Sequence, residues 1–150
     1  MPPQFDNNFR GHKSAVWLFY LITAVTVGRS LVHIFALDGG AQSIATIPLD
    51  QFGEDGSRTV VSMFALWGLS QLLLAAIFVL VAVRYRSMIP LMYILILAEY
   101  AGRIAIGMAK PLATLGTPPG AIGNIVLILL SIAGLALSLY QQRDSDIQQH

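Results

Sequence analysis

A chain of 150 residues that is 55% hydrophobic and 11% charged, with a mean hydropathy of +0.67, is too apolar for a water-soluble domain of its size and points to a lipid bilayer as its solvent. A formal net charge of +1 with no basic patch excludes nucleic-acid binding, and zero cysteines exclude disulfides, thiolate catalysis and thiolate metal ligands.

The opening stretch, Met1 to Gly11, is polar, carries Pro2 and Pro3, and does not follow basic residues with a short apolar core and a small-residue cleavage site. The first apolar segment is therefore expected to be retained. A hydrocarbon core about 30 Å thick requires about 20 helical residues, and four segments satisfy this: 14–37, 59–83, 87–109 and 121–141. No water is present in a bilayer core to satisfy backbone groups, so the spans must be helices. The sequence thus predicts an all-α integral membrane bundle of four transmembrane helices forming a single domain over 1–150. The short turn around Arg84 to Ser87 makes helices 2 and 3 antiparallel neighbours. Pro90 fits the first turn of helix 3, and Pro118, Pro119 and Gly120 break the chain before helix 4. Ala98 with Gly102, and Gly134 with Ser138, are spaced for close helix contact.

Arg10, Lys13, Arg84, Arg86 and Arg143 fall on one side of this topology, against Arg58 and Lys110 on the other. The positive-inside rule places both termini in the cytoplasm. Trp17, Tyr20, Tyr85 and Tyr140 are suited to anchor the same interface. The first outer connection, Asp38 to Arg58, is long for a helical bundle and holds Asp38, Asp50, Glu54 and Asp55. It reads equally as a lid and as a cap. Within it Ala41 to Ile47 is apolar enough for a short surface helix, with Ile44, Ile47, Leu49 and Phe52 turned to lipid or the bundle mouth, and Gly39 and Gly40 offer a hinge.

Ionisable residues inside apolar segments are costly unless paired or hydrated, and so mark a site. Here they are Arg29 and His33 in helix 1 and Glu99 and Arg103 in helix 3, each pair sharing a face at four-residue spacing. With helix 1 centred near Thr26, Arg29 lies about 5 Å and His33 about 10 Å toward the outer face, while Arg103 lies about 7 Å beyond Glu99 at the midplane. Trp67, Gln71 and Asn124 fall in the same half. One polar chamber in the outer half accommodates all seven. Two guanidiniums against one carboxylate favour an anionic or carbonyl group, such as the head of a lipid-like amphipath. Glu99 and His33 are the candidates for proton transfer. Neither a metal site nor a cofactor is expected, since one His with one Glu is too few ligands and no phosphate loop is present.

Three readings stay open. The first is a chamber binding a small amphipathic ligand, with membrane lipids as surroundings. The second is an accessory subunit of a homo-oligomer or larger membrane complex, locked by an Arg29–Glu99–Arg103 ion-pair bridge. The third is a proton pathway.

The stretch EYAGRIAIGMAKP, Glu99 to Pro111, followed by a Pro-containing loop and a last apolar helix beginning GAIGN, resembles the third and fourth helices of small bacterial DoxX-like four-helix membrane proteins. The resemblance covers the second half of the chain and rests on a Gly-Arg pair and a helix-ending proline. It implies a bacterial inner-membrane four-helix protein and carries over no catalytic residue.

Overall fold

A computed structural model describes residues 6–140. Four helices account for most of them: α1 (Lys13–Phe35), α2 (Glu54–Arg84), α3 (Ile89–Ala109) and α4 (Pro119–Leu139). No strand occurs among the described residues, and each of the four helices is long and apolar enough to cross a membrane. The expected spans are shifted at their ends for local reasons. α2 begins at Glu54 rather than Thr59, because Glu54 and Asp55 favour the positive end of the helix dipole although they are too polar to read as span. Pro119 opens α4 two residues before Ala121, where its missing N–H costs nothing. α4 ends at Leu139 with Tyr140 as its C-cap, and Gln141 and Arg143 lie outside the described residues.

The helices run up, down, up and down. At one end His12 N–H donates to the Leu137 carbonyl (3.0 Å), and Ser87, in the turn between α2 and α3, exchanges hydrogen bonds with the backbone of Asp6. At the other end the 36–53 connection meets the α3–α4 connection, where Leu115 N–H donates to Thr46 O (3.0 Å) and Gly120 N–H to Ile44 O (3.3 Å). α1 is central, packing along both α2 and α4, and α3 packs along α4. α2 and α3, expected to be antiparallel neighbours, run antiparallel but approach each other sparsely. A short turn fixes direction, but the side chains of Trp67, Tyr100 and Arg103 stand between these two backbones and hold them apart.

The main apolar core occupies the half nearer the chain termini, built from Phe19 and Ile22 of α1, Phe78 and Val81 of α2, and Ile89, Tyr93 and Ile96 of α3. Tyr93 is fully buried and donates to the Ala15 carbonyl (2.6 Å), so its hydroxyl is satisfied. Its ring lies where a Cβ on Gly134 would be. On the other side of α1, a Cβ on Gly68 would come 2.7 Å from His33 Cβ, so glycine permits the close α1–α2 approach. Gly102 meets nothing within 4 Å and Ala98 is exposed, so that expected small-residue pair makes no helix contact. Thr23, Thr26 and Ser30 line the buried side of α1 and donate to carbonyls four residues back, satisfying their hydroxyls within the helix.

The 36–53 connection is folded rather than loose. Gly39 and Gly40 have φ of +58° and +75°, and Thr46 has φ of +54°. Left-handed residues on both sides of Ala41 to Ala45 prevent the surface helix expected there, and the segment forms successive turns instead. Ala41, Ile47 and Leu49 are buried against Val60, Val61 and Phe64, which gives this end a small core of its own. Ile47 and Leu49 therefore face α2 rather than lipid, and a single 3₁₀ turn, Leu49–Gln51, leads toward α2.

Candidate functional site

Periodicity places at least one side chain from each helix toward the space left between α1, α2 and α3. Arg29 lies five residues beyond the centre of α1, Gln71 and Trp67 lie near the middle of α2, Glu99 is central in α3, and Asn124 is in the second turn of α4. All lie at mid-bundle or in the half nearer the 36–53 connection, as expected from their positions along the spans.

Arg29 Nη2 donates to the Tyr100 hydroxyl (3.1 Å) and Nη1 points at Asn124 Oδ1 at the limit of hydrogen bonding (3.5 Å). Arg103 forms an ion pair with Glu99 one turn back, with the two side chains 15% and 25% exposed. The Gln71 amide is assigned with its oxygen toward the guanidiniums, since the opposite orientation would set N–H against N–H. So placed, it accepts from Arg29 Nη2 (3.0 Å) and Arg103 Nη1 (3.1 Å). Gln71 itself is buried. Both guanidiniums also lie near two aromatic rings. Arg103 Cζ is 4.6 Å from the Trp67 ring centre and 5.2 Å from that of Tyr100, and Arg29 Cζ is 5.9 Å and 5.6 Å from the same rings. Such contacts contribute about 0.5–2 kcal/mol each, more where water is excluded.

The arrangement corrects one expectation. Among the described residues Glu99 pairs with Arg103 alone, and no Arg29–Glu99–Arg103 bridge forms. Arg29 is directed instead to Tyr100, Asn124 and Gln71, so the neutral amide oxygen, not the carboxylate, joins the two arginines. Two cations thus share one anion, and the cluster has a formal charge of +1. Arg103 Nε is buried without a partner.

His33 stands to one side of this network. It is 2% exposed, stacks on Trp67 with ring centres 4.7 Å apart, and places Nδ1 2.7 Å from the Gly39 carbonyl. A carbonyl can only accept, so Nδ1 carries the proton and the neutral ring keeps its lone pair on Nε2, which has no partner. His33 therefore fastens the 36–53 connection to α1, and a Cβ on Gly40 would lie 3.0 Å from its Nδ1. Gly39 and Gly40 are buried in that contact. Beside them Asp38 accepts the N–H groups of Gly40 (3.0 Å) and Ser43 (2.7 Å). Burial raises the Asp38 pKa, but those two donors outweigh it and hold the carboxyl down to about 2.

The seven residues singled out from sequence are thus brought into one neighbourhood, with His33 joined to the arginines through the Trp67 ring. Glu99 and His33, the candidates for proton transfer, each have a different partner, Arg103 and Gly39 respectively. Tyr100 belongs to the cluster and was not among them. Its signal was the seven-residue spacing from Tyr93, with Ile96 between, which defines the buried stripe of α3. Phe64, edge-on to both His33 and Trp67, carried no sequence signal beyond its apolarity. Among the described residues no three His, Asp or Glu side chains gather as metal ligands would.

Fold and cluster define a bundle of four membrane-length helices with a half-buried, net-positive polar cluster among α1, α2 and α3. No family model, curated protein or solved structure matches the chain.

Proposed function

We propose that this chain is a multi-pass protein of a bacterial inner membrane, with both termini cytoplasmic, whose Arg29–Gln71–Arg103 cluster binds the anionic or carbonyl head of a small amphipathic ligand. The charge imbalance carries the reading: two guanidiniums stand against one carboxylate, which pairs with Arg103 alone, at a depth where an uncompensated charge is costly, so an added acceptor oxygen is favoured there. Trp67, 38% exposed, offers an aromatic wall beside the guanidiniums, and the apolar helix surfaces outside the cluster suit the ligand's tail. Asn124 and Tyr100 orient Arg29, and Glu99 orients Arg103.

A second reading is favoured by the same hydrogen bonds. Gln71, Tyr100, Glu99 and Asn124 already occupy most guanidinium donors, so the cluster can serve as an interhelical lock in an accessory subunit. Native mass spectrometry of the gently solubilised chain separates the two. Under the ligand reading the wild type carries a lipid-like adduct that Arg103→Ala loses while melting as a folded protein. Under the lock reading no adduct is present and Arg103→Ala lowers stability by about 2 kcal/mol, the loss of a charge-assisted hydrogen bond.

A further inference from the structure

From the α2–α3 turn to mid-bundle, a groove of about 560 Å³ runs along the outer face of α1 and α2. Tyr20, Ala24 and Gly28 line its α1 side, Val79 and Val83 its α2 side, and Arg86 closes the end nearer the α2–α3 turn. The groove exists because small residues fall where larger ones would fill it: a Cβ on Gly28 would meet nothing within 4 Å. From Gly28 to Tyr20 the wall extends about 12 Å along the helix axis. Apart from Thr23, whose hydroxyl is taken up by the Phe19 carbonyl, its lining is apolar for that length and polar at one end, the distribution of a lipid tail and its head.

Arg86 is held in place. Its Nε donates to the Ala82 carbonyl (3.0 Å), one of those left open at the C-terminal end of α2, and the Tyr20 hydroxyl reaches the same oxygen (3.5 Å). With Nε committed, Nη1 and Nη2 make no hydrogen bond and no ion pair among the described residues, and Arg86 is half-buried rather than extended into solvent. Arg84, two residues away, is exposed and does not line the groove. A fixed guanidinium with two outward donors matches a phosphate. Basic pockets between membrane helices on the cytoplasmic side, the side assigned above to this end, recognise anionic headgroups.

We infer that this groove is a binding site for one anionic glycerophospholipid, its phosphate on Arg86 and one acyl chain along Gly28, Val79 and Val83. The site is separate from the polar cluster and independent of any ligand there. Filling the groove and removing its cation are distinct ways to abolish binding, and neither disturbs the core. Gly28→Leu replaces a poor helix former at an open position, and Arg86→Gln removes no ion pair among the described residues.

Native mass spectrometry of the full chain in neutral detergent, titrated with equal phosphatidylglycerol and phosphatidylcholine, tests this. The wild type and Arg84→Gln should retain one phosphatidylglycerol, preferred about fivefold over phosphatidylcholine. Arg86→Gln should lose the preference, and Gly28→Leu should lose both lipids. Circular-dichroism melts identify which variant is folded, and either folded variant alone decides. Equal adducts of the two lipids on the wild type overturn the proposal. So does phosphatidylglycerol held undiminished by folded Arg86→Gln or folded Gly28→Leu, or displaced by millimolar inorganic phosphate, since recognition would then not involve the acyl chain.

Discussion

Gln71 has no charge, yet both arginines of the cluster converge on it. A reading of sequence looks first for charge at membrane depth, and from Arg29, Glu99 and Arg103 it expects the carboxylate to lie between the cations. The carboxylate instead pairs along its own helix, where four-residue spacing brings it to Arg103 without any help from α1. That leaves Arg29 to find neutral acceptors, and it finds three on three different helices: Gln71, Tyr100 and Asn124. The neutrality of Gln71 therefore sets the charge balance of the whole cluster. Gln71→Glu would place a second carboxylate at 3.0–3.1 Å from both guanidiniums and bring the formal charge from +1 to zero. If the cluster binds an acceptor-bearing ligand, this variant should melt no lower than the wild type and lose the ligand adduct, because the acceptor is then built in. A variant that keeps the adduct would show that net positive charge is not what holds the ligand.

At the scale of elements, what was legible in the sequence was the count, type and direction of the helices; what was not was which of them touch. Hydropathy reports length of apolar run and the prolines and charges report its ends, so α1 to α4 follow with shifts of a few residues. Contact depends on side-chain volume in three dimensions. The Ala98–Gly102 pair has the same spacing as Gly134–Ser138, but one faces open space and the other receives the Tyr93 ring. The candidate site was more legible than the contacts, because the apolar spans make each polar residue conspicuous, whereas Tyr100 was hidden among residues of ordinary core type. The two glycines make a paired test of this point. Gly134→Ala forces a Cβ into the Tyr93 ring and should destabilise by about 1–3 kcal/mol, with loss of the Tyr93–Ala15 hydrogen bond as the ring shifts. Gly102→Ala meets nothing and should stabilise by up to about 1 kcal/mol through helix propensity. Thermal melts in a fixed detergent compare them, and equal effects would contradict the packing of α3 on α4.

For the molecule as a whole, the proposed orientation combines the fold with the charges. The bundle gathers the start of α1, the α2–α3 turn and the end of α4 at one end, which collects Arg10, Lys13, Arg84 and Arg86 from distant parts of the sequence. The opposite end holds Arg58 and Lys110, and Arg58 is paired with Glu54. Short connections are where Lys and Arg decide topology, and the one connection at the basic end, the α2–α3 turn with Arg86 beside Arg84, is short, so the proposed orientation rests on residues that count. The same end bears exposed Trp17 beside Tyr20, with ring centres 5.7 Å apart, consistent with an interfacial belt. The chain has no cysteine, so single introduced thiols report sidedness without background. Asn8 and Gln51 are exposed at opposite ends of the bundle. In intact cells a membrane-impermeant maleimide should label Gln51→Cys and leave Asn8→Cys unmodified until the membrane is opened. Labelling of Asn8→Cys alone would invert the topology and move the polar cluster to the cytoplasmic half. Labelling of both in intact cells would argue against a chain that crosses the bilayer an even number of times in one fixed orientation.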